Sequence, residues 1–142
     1  MPVDRNGDNP ALASEQDIVA LADSLTRSAE ALHARLKKAI RSGRLDRTAA
    51  QALFQEESVL RQRANGLYAE ASRCMVSSLP QTQRELLALV EAANERIHRS
   101  NALDTLLGLA GDLLVLAAAA CAAQPGAIAA ALHQLERDLA GS

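Results

Sequence analysis

Two Glu-x-x-His pairs, Glu30–His33 and Glu95–His98, are the residues in this chain best spaced to do chemistry. With Glu57 and Asp112 they make up the inventory of a di-metal carboxylate site. Such a site needs inward-facing carboxylates from four helices, two of them with a histidine one turn away. Helical phase argues against its assembly. At about 100° per residue, His33 lies about 60° and Glu30 about 120° from the apolar stripe that Ile18 begins. Glu95 points away from Leu86, Val90 and Ile97, and Asp112 falls on the back of its own stripe. Glu57 alone shares a face with core residues, so no metal or cofactor is expected.

Other chemistries leave no trace in the spacing. The chain lacks Gly-x-Ser-x-Gly, Cys-x-x-Cys and a phosphate loop, and no histidine falls on an apolar stripe. Cys74 and Cys121 are too few and too far apart for a disulfide framework or a zinc site. They read as small core residues. A basic stretch (Arg35, Lys37, Lys38, Arg41, Arg44, Arg47) could meet phosphates, but part of it occupies the solvated back of a helix. Phe54 and Tyr68 are the only aromatics, and the net charge is −2. Base stacking and a global basic field are therefore both missing, and no nucleic acid is expected. The reading is of a non-catalytic protein.

The elements that would position any site are helices. Alanine and leucine dominate, which favours helix and leaves little β-branched or aromatic material for strands. Residues 1–13, rich in Asp, Asn and Pro, read as a disordered tail, and 14–142 as one domain. Ser14 can cap a first helix with a stripe of Ile18, Leu21, Leu25, Ala29, Leu32, Leu36 and Ile40, stopped by Gly43. Asp46 can cap a second, with Leu53, Glu57, Leu60, Ala64, Leu67, Ala71, Cys74 and Ser78 at heptad spacing as far as Pro80. Leu86, Val90, Ala93 and Ile97 mark a third helix. Ser100–Asn101 makes a break, with Asn101 and Asp104 placed as a capping pair, although the spacing also allows a continuous helix. Leu103, Leu107, Ala110, Leu114, Ala117 and Cys121 mark a fourth. Pro125–Gly126 ends it and leads to a fifth, striped by Ile128, Leu132, Leu135 and Leu139. The fold class is all-α, an antiparallel helical bundle of four to five helices.

Leu113 to Leu132 is a run of twenty residues without a charge, half of them alanine. Its length could span a bilayer. Its six strongly apolar residues contribute only about −2 to −4 kcal/mol of insertion energy, and Gln124, Pro125 and Gly126 oppose insertion. A central bundle helix explains the run better, because small side chains permit close helix approach. No apolar stretch of signal-peptide length occurs near Met1, so a cytoplasmic location is expected. Thirteen arginines against two lysines suggest a GC-rich, bacterial genome.

These stripes support a helical protein–protein interaction module: a self-associating scaffold, an inhibitor or immunity-type factor, or a chaperone-like binder. The alternative is a membrane-associated protein that uses Leu103–Leu139 as a kinked apolar hairpin. The candidate interface is the flank of the second helix that carries Phe54, Glu57, Arg61 and Tyr68. Glu57 either pairs with Arg61 four residues on or meets a basic group on a partner. The two aromatic rings either pack against the first helix or face another chain.

Overall fold

The computed structural model describes residues 9–141, which form five α-helices. They are α1 (Glu15–Arg41), α2 (Arg47–Ala69), α3 (Gln83–Arg99), α4 (Leu103–Cys121) and α5 (Pro125–Gly141). Successive helices run alternately up and down. Packing neighbours form a closed ring, α1–α2–α4–α5–α3 and back to α1. The core of this ring holds Leu21, Leu25, Leu60, Leu86, Ile97, Leu113, Leu116 and Ile128 among others.

The helix starts follow local chemistry. Ser14 accepts a hydrogen bond from Asp17 N and Asp46 from Ala49 N, so each satisfies a donor with no partner inside the helix. Thr82 and Glu85 form a reciprocal capping box at the start of α3. Gly43 ends the α1 turn at φ +71°, a conformation that costs glycine little. The α3 stripe Leu86, Val90, Ala93 and Ile97 is fully buried, as its spacing requires.

Four expectations need correction. The second helix does not reach Pro80: it stops at Ala69, and one 3-10 turn (Ala71–Arg73) begins an irregular connector. There the backbone finds partners outside a helix. Val76 N donates to Leu12 O, Ala11 N to Gln81 O, and Gln83 N to Asn9 O. Serines at 72, 77 and 78 add little helix propensity to resist this. Cys74, Val76 and Leu79 still point into the core.

The same bonds overturn the expected disorder of residues 9–13. Ala11 and Leu12 are fully buried, and Leu12 N also donates to Gln83 Oε1 at 3.0 Å. Residues 1–8 of that tail lie outside the described residues. At the α3–α4 break the N-cap is Ala102, without a side-chain cap. Asn101 instead accepts a hydrogen bond from the Arg35 guanidinium, and Ser100 Oγ receives Ala102 N.

The fourth correction concerns α4. Its buried residues are Leu106, Leu109, Ala110, Leu113, Leu116, Ala117, Ala119 and Ala120, a face rotated from the expected stripe, of which only Ala110 and Ala117 are buried. Leu103, Leu107, Leu114 and Cys121 are only partly buried. The helix packs on α2 from one side and α5 from the other, so it needs two apolar faces. It is 19 residues long, with a mean hydropathy of 1.7 over 18 of them, and among the described residues it is the one helix long and apolar enough to cross a membrane.

Candidate protein interface

The α1–α2 hairpin is built from the longest pair of helices, and its seam carries the candidate residues. Glu57 sits on the α1-facing side of α2 and is 5% exposed. A buried carboxylate costs free energy unless donors surround it. Here both oxygens are occupied: Oε2 accepts from Arg61 Nε at 3.0 Å, and Oε1 lies 3.0 Å from His33 Nδ1. The expected Glu57–Arg61 pair is present, one turn apart on the same helix. His33 was missed because the hairpin register, not the α1 stripe, brings its half-exposed ring onto Glu57. Glu57 thus has two partners inside its own chain.

Phe54 and Tyr68 share the flank with Glu57 and Arg61. Phe54 is 56% exposed and Tyr68 38% exposed. The Tyr68 hydroxyl donates to Asp23 Oδ1 on α1, which ties the ring to the seam and raises its pKa. These rings lie at the rim of the hairpin rather than inside it. Ile40 and Val19, at opposite ends of α1, are also exposed.

The residues weighed for a metal site do not converge. Glu30, Glu95 and His98 are exposed on their helices. No group of three or more metal-ligating side chains occurs among the described residues. Asp112 breaks from expectation in another way: it is half-buried against α5 instead of lying on an open polar back. Its Oδ2 is buried without a hydrogen-bond donor. Burial first, and then the neighbouring Asp138 carboxylate, push its pKa from 3.8 up to about 7.

That shift has a stability consequence. The folded chain holds the Asp112 proton more tightly than the unfolded chain. The contribution is therefore full below pH 3.8 and is lost as pH rises through about 7. Asp138, held low chiefly by its hydrogen bond with Asp112, acts in the opposite sense. Asp112→Asn should flatten the stability profile between pH 5 and 8. It should stabilise the chain at pH 8 by about 1 kcal/mol, a figure reduced for solvent screening. Urea titrations across that range check this, and an unchanged slope in the variant would refute it.

Two polar clusters were not legible in the sequence. Along α1 and α3, the Ser28 hydroxyl donates to Asn94 Oδ1, while Asn94 Nδ2 donates to Ser24 O at 3.3 Å. Glu91 completes the line by accepting from Ser24 and Arg27, which holds its carboxyl below the usual range despite burial. Gln83 forms the second cluster, bridging Leu12 N and Asp17 O from the start of α3. Serine and amide side chains at helical spacing resemble solvated ones, so nothing marked these in advance. Cys74 is buried and Cys121 partly so, and desolvation raises both thiol pKa values, which suits packing more than reactivity.

No family model, curated protein or solved structure matches the chain.

Proposed function

We propose that this protein works by binding another protein chain through the outer seam of its α1–α2 hairpin, as a non-catalytic interaction module in the cytoplasm. The observation that carries the reading is the placement of the chain's two aromatics. A fold that buries Leu53, Leu60 and Leu67 on α2 leaves Phe54 and Tyr68 on its rim, beside an ion-paired Glu57. Aromatic and arginine side chains are enriched where interfaces bury surface. A scaffold, an inhibitor or a chaperone-like binder would each use such a surface, with no cofactor and no nucleic acid.

Affinity capture from the native host, compared between the wild-type chain and a Phe54→Ala/Tyr68→Ala double variant, tests this. The double variant should lose the captured chain and stay within about 1 kcal/mol of wild-type stability, as suits partly exposed positions. A loss of several kcal/mol, the size expected for emptying an aromatic core site, would place the rings in the interior and end the reading.

A second reading draws on α4, whose hydropathy and length suit a bilayer and whose Val115 is 59% exposed. In it, α4 and α5 form an apolar hairpin at a membrane. Fractionation without detergent separates the two: the interaction module stays in the supernatant, and the hairpin follows the membrane pellet.

A further inference from the structure

Four of the six exposed large apolar side chains among the described residues, Val19, Ile40, Phe54 and Tyr68, belong to the α1–α2 hairpin. Met75 and Val115 are the others. The Asp23–Tyr68 and His33–Glu57 contacts fix the antiparallel register of the hairpin. In that register Phe54 lies level with Leu36 and Lys37, and Arg61 lies level with Glu30. The apolar residues therefore form two pairs, Val19 with Tyr68 at one end and Ile40 with Phe54 at the other. Both pairs are equally far from a midpoint at Glu30 and Arg61.

Charge follows the same division. The Val19–Tyr68 end carries Glu15 and Asp23, and the Ile40–Phe54 end carries Lys37, Arg41, Arg44 and Arg47, all exposed; of the opposite charges, Asp46 caps α2 and Arg73 is paired with Glu70. A half-turn about the midpoint would lay the acidic end of one copy on the basic end of another. Asp23 would then meet Lys37 of the second copy and Glu15 its Arg44, with Glu30 and Arg61 at the two-fold position itself. Each apolar pair would cover the other. A surface that complements itself under a two-fold rotation is the signature of an isologous contact.

We infer that the α1–α2 seam docks a second copy of this chain, antiparallel and two-fold symmetric, with Val19 and Tyr68 of each copy against Ile40 and Phe54 of the other. The inference rests on the interaction reading above and names its partner. The size is adequate. From Val19 to Ile40 the seam is about 32 Å long, and two packed helices give it a width of about 20 Å. That is on the scale of the roughly 800 Å² per partner in stable interfaces.

Sedimentation of the full chain over a range of micromolar concentrations provides the test. The wild-type chain should sediment as a dimer that weakens with salt. Phe54→Asp and Ile40→Asp should be monomeric with unchanged circular dichroism, since both positions are exposed. Charge reversal reads the orientation. Asp23→Lys sets lysine against lysine at both 23–37 contacts of the dimer, and Lys37→Glu sets acid against acid there. Each alone should self-associate at least about tenfold more weakly, and an equimolar mixture should recover the dimer.

A natively folded wild-type chain that stays monomeric throughout would overturn the inference. So would dimers insensitive to Phe54→Asp and Ile40→Asp, or a mixture that fails to recover. If a monomeric wild-type chain still captures a different protein through Phe54 and Tyr68, self-docking falls and the interaction reading stands. If it captures nothing, both fall.

Discussion

Leu113→Ala should lower the stability of this protein by about 3–4 kcal/mol, the cost of a cavity where a fully buried leucine stood. For a chain of this length that corresponds to a fall in Tm of about 10–15 °C. Leu107→Ala, on the face of α4 that its spacing first suggests, should cost about half as much or less, because Leu107 is only partly buried. Leu113 lies in the middle of the bundle, on a helix held between α2 and α5, so its neighbours have little room to collapse into the space. Thermal and urea unfolding of the two variants decide the matter. Equal losses, or a larger loss for Leu107→Ala, would mean that the α4 face has been assigned wrongly.

The contrast between those leucines shows where sequence reading stops. On α1 and α3 the apolar residues alternate with charged ones, so phase is unambiguous and the buried stripes can be read directly from spacing, except for Ile40, which the end of α1 leaves exposed. Ser14, Gly43, Asp46 and the Glu57–Arg61 pair are local features, set within four residues, and they too are legible. On α4 nearly every position is leucine, alanine or glycine. Asp104, Thr105 and Asp112 are too few to fix the phase, the last being itself half-buried, and a helix with two packing partners has no single apolar stripe to find. Asp112 shows the same limit, since its burial comes from α5 crossing over it, a contact no local pattern encodes.

The connector fails for a related reason. Cys74 does lie in the core, so its place in the α2 heptad pattern was half right. Its burial is achieved by an irregular chain that bonds to residues 9–12, about seventy positions earlier than α3. His33 meets Glu57 by the same kind of long-range registration. What the candidate interface owed to sequence was its residue types and their common flank. Their exposure needed the structure.

Gln83→Leu should cost about 2–3 kcal/mol, the second-largest effect expected here. Gln83 is nearly fully buried and makes two side-chain bonds, accepting from Leu12 N and donating to Asp17 O at 3.1 Å. Leucine fills similar space but satisfies neither group, and a buried backbone N–H without a partner carries the desolvation penalty in full. The loss has a location as well as a size. Residues 9–12 should detach from α3 before the bundle melts, opening a protease-sensitive site near Leu12. Limited proteolysis and urea unfolding check the two parts. A variant that stays resistant near Leu12 and loses under 1 kcal/mol would show that Gln83 does not anchor the segment.

The central claim, that the α1–α2 seam binds a protein chain, is tested most directly by hydroxyl-radical footprinting. The full chain would be compared in dilute solution and in its associated state, reading side-chain oxidation residue by residue. Phe54 and Tyr68 should lose most of their reactivity on association, while the exposed His133 on α5 keeps its own. Protection of His133 with Phe54 and Tyr68 unchanged would contradict the claim and move the binding surface to the other side of the bundle.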